Sequence, residues 1–178
     1  SKRFSVFNDN LRDALKGSVF KASEPGYVQT GVNREEVMRG IRGAVDEFTD
    51  SPLEALNYVS CHDNHALWDR LGLSLKDEPP ENLVRMDKLA QAVILTSQGI
   101  PFIHSGEEFL RTKNGEENSY NLPDAINKID WTLKKKNNGV FTLYRDLIAL
   151  RKAHPAFRMK TARESREMMC ARPDWLVA

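Results

Sequence analysis

At 178 residues the chain is long enough for one domain with a substantial core. Its 26 Lys and Arg against 25 Asp and Glu leave a formal net charge of +1 with no clustered basic stretch, which argues against a nucleic-acid partner. Cys61 and Cys170 form neither a CxxC pair nor a dense framework, no apolar run approaches the length of a membrane span, and Ser1-Lys2-Arg3-Phe4 does not open a signal peptide, so disulfide scaffolds, zinc scaffolds and membrane proteins are set aside.

Residues 4–7 alternate aromatic, polar and apolar side chains like a short strand. Asn8 or Asp9 then offers an oxygen to cap a short helix through Leu15, stopped by Gly17. After a Gly- and Pro-bearing loop, Asn33 is expected to cap a helix with Glu35 and Glu36 in its first turn and Val37, Ile41, Val45 and Phe48 on its apolar face. Ser51-Pro52 breaks it, and residues 55–60 read as a buried strand. A long loop through Pro79-Pro80 leads to the clearest helix, with Leu83, Met86, Leu89, Ala90, Val93, Ile94 and Ser97 as its buried face and with Gly99 and Pro101 ending it.

Residues 102–104 form the next strand candidate. A polar loop over 106–138, including the exposed run Lys134-Lys135-Lys136, separates it from an amphipathic helix carrying Val140, Leu143, Tyr144, Leu147 and Leu150 and closed by His154-Pro155. Three strand-then-helix units in succession predict parallel strands with helical crossovers, an α/β class. Thr161 with Glu164 reads as a helix capping box.

In such folds ligands bind at the carboxyl ends of the strands, so polar residues just after strands carry the chemistry. Cys61-His62-Asp63-Asn64-His65 concentrates two imidazoles, a carboxylate and an amide after the strand 55–60, although Asp63 and Asn64 are also ordinary turn formers. His104-Ser105-Gly106-Glu107-Glu108 follows the next strand, where Arg111 is expected to make a structural ion pair. Asn118-Ser119-Tyr120-Asn121, with Asp130-Trp131, is a neutral polar and aromatic set suited to sugar hydroxyls and pyranose faces, and is also ordinary loop composition. His62, Asp63 and His65 offer metal-ligand chemistry, at a spacing that matches no familiar metal motif.

Residues 57–65 with Leu67-Trp68-Asp69 resemble the last conserved region of type I pullulanases in the α-amylase superfamily of glycoside hydrolases. Residues 7–17, 96–113, Asn118-Ser119-Tyr120-Asn121 and Ile129-Asp130-Trp131 continue the likeness, which covers roughly residues 4 to 160. The resemblance implies that residues 1–156 are the sixth, seventh and eighth units of a TIM-type (β/α)8 barrel, an incomplete one. Residues 157–178 stand where a C-terminal β-sandwich would begin, truncated or diverged.

The resemblance further implies retaining cleavage of α-1,6-glucosidic bonds in pullulan, starch, glycogen or branched maltooligosaccharides; no cofactor and no metal are expected. Asp63 matches the carboxylate that stabilises the transition state, and His62 a neighbouring sugar-binding histidine. Asn64, His65, Trp68, Asn118, Tyr120 and Asn121 are implied substrate-groove residues, and Glu107 and Glu108 are supports. The family's nucleophile and general acid belong to sequence before Phe4, so the isolated chain is expected to be inactive and to need the N-terminal barrel half or self-association. A non-catalytic carbohydrate-binding or assembly module and a metal-dependent hydrolase are the alternatives, and family members occur both inside cells and secreted.

Overall fold

A computed structural model describes residues 4–168. Strands β1 (Val6–Phe7), β2 (Ala55–Asn57) and β3 (Ile100–Pro101) form a parallel sheet in that order, with Val6 opposite Ala55, Phe7 opposite Leu56, Leu56 opposite Ile100 and Asn57 opposite Pro101. Between β1 and β2 run α1 (Asp9–Lys16), α2 (Tyr27–Thr30) and α3 (Arg34–Ile41). Helices α4 (Leu67–Ser74) and α5 (Pro80–Thr96) lie between β2 and β3. After β3 come α6 (Asp124–Asn127), α7 (Thr132–Lys136), α8 (Asn138–Ala153) and α9 (Ala162–Met168). The α/β class with a small parallel sheet is borne out, in a chain richer in helix than in strand.

The ladders are shorter than expected. Residues 58–60 stay buried but leave the ladder after Asn57, because β3 pairs at Ile100–Pro101 rather than at 102–104; only the Phe102 amide, 2.8 Å from the Asn57 carbonyl, continues the contact. Side chains hold the sheet where backbone does not. The Asn8 amide donates to Asn57 Oδ1 at 2.9 Å, and Asn57 Nδ2 donates to the Gln98 carbonyl at 2.6 Å, so the side chain of Asn57 in β2 joins the residue after β1 to the segment before β3. Gln98 in turn donates to the Ala156 carbonyl and accepts from the Met159 amide, which fixes the chain after α8.

Asn8 caps α1 as expected, its Oδ1 accepting from Leu11 N at 3.1 Å, and Gly17 ends that helix at a φ of 88°. A side chain there has no room, since a Cβ would lie 1.9 Å from the Glu24 carbonyl oxygen. Asn33 does not cap α3: it adopts the left-handed conformation at a φ of 60° and makes no side-chain cap. That helix stops at Ile41, because Gly43 and Ala44 both take positive φ, so Val45 and Phe48 fall outside it. Helix α4 was expected as loop; it forms because Leu67 and Leu71, one turn apart, drop into the core beside Leu11, Leu15 and Ile94. The 106–138 loop contains α6 and α7, and the lysine run is the exposed body of α7, with Lys134 Nζ 4.1 Å from the Phe141 ring centroid.

The long helix is α5, but its buried face is rotated from the expected one. Leu83, Asp87, Ala90, Gln91, Ile94 and Leu95 are buried, whereas Leu89 is 45 % exposed. Arg151 of α8 is buried and donates to the carbonyls of Leu95, Ser97 and Gly99 at 2.6–3.0 Å, answering the open C-terminal end of α5. The capping box before α9 is present, with Thr161 N 3.0 Å from Glu164 Oε2 and Glu164 N 3.2 Å from Thr161 Oγ1. Helix α9 docks through Ser165 Oγ on the Arg42 carbonyl and Arg166 on Asp46. Cys170 and the rest of the tail from 169 lie outside the described residues.

Replacing Asn57 by Ala leaves the Asn8 amide and the Gln98 carbonyl without their buried partner, and should cost about 2–4 kcal/mol. Urea denaturation checks this as a lower midpoint at unchanged slope.

Candidate functional site

The carboxyl end of the central strand β2 continues as Tyr58, Val59 and Ser60, all buried, and then turns outward at Cys61. His62 and Asp63 are presented to solvent, their side chains 85 % and 71 % exposed, with His62 Nε2 3.4 Å from Asp63 Oδ1. Asn64 reverses the chain in the left-handed conformation at a φ of 59°, which an asparagine tolerates. His65 then turns inward and is buried, and burial lowers its pKa. Trp68, in the first turn of α4, packs half-buried between the two apolar clusters of the core.

The geometry therefore parts the three metal-ligand candidates. His65 is not with His62 and Asp63; the donor atoms that approach within 4.8 Å of one another are those of Cys61, His62 and Asp63. The two exposed groups stand at the end of the strand, free to meet a ligand.

Lys113, which nothing in the sequence singled out, fastens this turn. Its side chain is buried, and Nζ donates to the carbonyls of Asn64 at 2.5 Å, His62 at 3.3 Å and Glu117 at 3.3 Å. Burial, with Arg111 next in weight, lowers its pKa. One ammonium thus joins the 62–64 turn to the start of the segment that carries Asn118, Tyr120 and Asn121. Asp69 of α4 completes the joint, accepting from the Lys113 amide at 2.6 Å and from the Thr112 hydroxyl. Asn118, Tyr120 and Asn121 are exposed, Tyr120 to 83 %, on a loop held from below by Asn127 Nδ2 on the carbonyls of Ser119 and Leu122. Trp131 rests against Phe109 with ring centroids 5.5 Å apart, and Asp130 Oδ1 accepts from the Thr132 amide at 2.9 Å and the Thr132 hydroxyl at 2.7 Å just before α7.

Behind the turn, Ser60 Oγ donates to Glu107 Oε1 at 2.5 Å, and the His104 amide donates to Glu107 Oε2 at 3.3 Å. Glu107 is buried, and burial pushes its carboxyl up to about 7 against the opposing pull of Ser60, the His104 amide, Lys16 and Gln91. Glu108 plays a different part, accepting from the Gly106 amide at 2.9 Å to close its own turn. Arg111 makes no ion pair with either glutamate. It donates to the carbonyls of Ser105 and Asn127 and lies 3.1 Å from His104 Nε2, and burial followed by the Arg111 charge lowers the His104 pKa to about 4, leaving a neutral ring to accept.

No protein-family model matches the chain. A curated pullulanase of Bacillus subtilis (strain 168) is 42 % identical over 171 residues, which is 92 % of this chain and 24 % of that protein. Among solved structures, type I pullulanase from Bacillus subtilis str. 168 complexed with maltose superposes with a TM-score of 0.89 at 41 % identity, over 91 % of this chain and 24 % of that one. A pullulanase from Paenibacillus barengoltzii in complex with maltohexaose and alpha-cyclodextrin gives a TM-score of 0.89 at 46 % identity, over 91 % of this chain and 26 % of that one. The resemblance to type I pullulanases is borne out, and the chain spans about a quarter of the length of these relatives.

Lys113→Met removes the donor shared by three carbonyls, so amide exchange over residues 61–65 and 114–121 should accelerate at least tenfold while the core of α5 keeps its protection. Glu107 has a second measurable consequence. Its folded pKa, about 7 against an ordinary 4.5, means that the folded state holds a proton the unfolded state has released. Stability from this group is therefore unchanged below the ordinary value, falls as pH rises between the two, and levels off above about 7, a loss of roughly 3 kcal/mol. Thermal melts of Glu107→Gln across that range should show a flatter decline than the parent.

Proposed function

We propose that this chain is part of a pullulanase-type debranching hydrolase, contributing the glucan groove around Asp63 and the sixth to eighth units of a (β/α)8 barrel. The observation that carries the proposal is the placement of His62 and Asp63, exposed at the carboxyl end of the middle strand of three parallel ones. That is where a barrel of this type holds its substrate. The solved relatives bound to maltose and to maltohexaose support an α-glucan as the ligand.

In this reading the strand order β1-β2-β3, each neighbour reached through helices, is a segment of a closed sheet, and residues 1–156 make up the barrel part. The outer edges of β1 and β3 and the apolar sheet residues Val6, Phe7 and Ile100, all more than a third exposed, with Phe4 just before β1, await the missing strands. Phe7, Tyr58 and Phe102 stack edge to face in a cluster with centroids 4.8–6.3 Å apart, a preformed piece of what would be barrel interior.

The chemistry is retaining hydrolysis of an α-1,6-glucosidic bond. A nucleophilic carboxylate and a general acid about 5 Å apart, both from the first five units, act on the two sides of the anomeric carbon. Asp63 holds ring hydroxyls and stabilises the positive charge that develops on the sugar, and His62 orients the same residue. Asn118, Tyr120 and Asn121 border the groove from the loop that Lys113 draws to the 62–64 turn. Asn64, His65 and Trp68 act from beneath it as shape, through the turn and the packing of α4, while Glu107 and Glu108 support the strand end. The active molecule is the assembly of this chain with the other barrel half.

Pullulan cleavage should be absent from the purified chain and appear on mixing with a separately produced fragment carrying the first five barrel units. In that mixture Asp63→Asn should lower the rate by about 10²–10³-fold. Cleavage by the chain alone would overturn the assignment of the missing carboxylates, and inactivity with both fragments folded would favour a carbohydrate-binding module.

A further inference from the structure

Helix α5 buries two polar side chains in its apolar stripe. Asp87 and Gln91, one turn apart, have no exposed surface. Neither oxygen of Asp87 and neither polar atom of the Gln91 amide has a hydrogen-bond partner among the described residues, and the same holds for the Tyr144 hydroxyl on α8. Helix α5 packs against α8, and Asp87 is near enough to Tyr144 to act on it electrostatically. Burial, with Glu107 adding to it, raises the Asp87 pKa well above the carboxylate range, and burial together with Asp87, Glu107 and Glu108 does the same to Tyr144. Gln91 faces Glu107 closely enough to stabilise its ionised form, yet without a closed hydrogen bond.

Five orphaned polar atoms between two packed helices would cost a large part of a domain's net stability if they stayed dry. Buried polar groups of this kind are ordinarily bridged by internal solvent. We propose that bound water fills the space between Asp87 and Gln91 of α5 and Tyr144 of α8, forming a buried hydration site behind Glu107.

The lining selects water over a cation. Gln91 and Tyr144 bring N–H and O–H donors as well as acceptors, which a water molecule can match from both sides and a metal ion cannot. The positive charge near Glu107 is already supplied by Lys16, itself buried. At about three hydrogen bonds per buried water, roughly two molecules satisfy the groups present. A cleft of about 410 Å³ between the loop after β3 and α8 is lined by Ser105, Glu108 and Tyr144 among others, so the same tyrosine borders a solvent-filled space on its other side. The site stands behind the carboxylate that receives Ser60, so its water belongs to the support of the strand end that presents His62 and Asp63.

A crystal structure of the protein at a resolution that shows ordered solvent tests this. Density at about 2.6–3.2 Å from at least two of Asp87, Gln91 and Tyr144 is expected. Direct Asp87–Tyr144 or Asp87–Gln91 hydrogen bonds with no density between the helices would overturn the proposal, as would an ion held by oxygens at about 2.0–2.6 Å. In solution, NMR cross-relaxation between long-lived water and the amides of residues 87–91 should be present and should fall severalfold in Asp87→Leu. Tyr144→Phe, which removes a single hydroxyl, should give a smaller loss and serves if the leucine variant does not fold. Undiminished cross-peaks in both variants would place the water elsewhere and refute the site.

Discussion

Long loops join the helices around a very short sheet, so the governing constraint is the supply of donors to buried loop carbonyls. A carbonyl removed from water without a partner costs about as much as a lost hydrogen bond, and several such losses would exceed the margin of a folded domain. Buried cations meet the demand. Arg70 gives its guanidinium to the carbonyls of Ser18, Lys21, Ala22 and Glu24, Arg151 to those of Leu95, Ser97 and Gly99, and Lys113 to those of His62, Asn64 and Glu117. Each multivalent cation replaces several separate donors and fixes the loop it serves. The turn that presents Asp63 is held by Lys113 in this way, not by strand pairing.

The same economy explains how strands of two or three residues can organise the molecule. Ladder hydrogen bonds alone are few, and the amides of Asn8 and Asn57 with the carbonyl of Gln98 extend the pairing into the side-chain layer. Above that layer Arg12 donates to the Tyr58 hydroxyl at 2.6 Å, which donates to Asp9 at 2.5 Å, so the helix after β1 is tied to the end of β2. Burial and the Asp9 hydrogen bond raise the Tyr58 pKa, which keeps that link protonated at all ordinary pH. Presentation and support are thus divided: His62 and Asp63 face solvent, and Ser60, Glu107, Lys113 and Asp69 hold their backbone from within.

Exposure and burial also sort the candidate residues. Asp63, His62, Asn118, Tyr120 and Asn121 keep their polar groups accessible, whereas His65 and Trp68 are absorbed into packing. Arg111, expected to neutralise a glutamate, serves carbonyls instead, because the two carboxylates beside it are already engaged by Ser60, the His104 amide and the Gly106 amide.

The sequence by itself determined the α/β class, a side-chain cap for α1 at Asn8 or Asp9, the stop at Gly17, the existence of α5 and α8, the box before α9, and the kinship carried by residues 57–69. All of these are local: a cap, a period or a contiguous motif is readable along the chain because its partners lie within a few residues. Tertiary structure alone decided that Asn33 leaves its helix uncapped, that Leu67 and Leu71 make a helix of an expected loop, and that α5 turns Asp87 and Gln91 inward while Leu89 faces water. It alone chose Lys113 as the anchor of the 62–64 turn, since its three carbonyl partners span residues 62 to 117 and no spacing in the sequence announces a contact set by how separate loops meet.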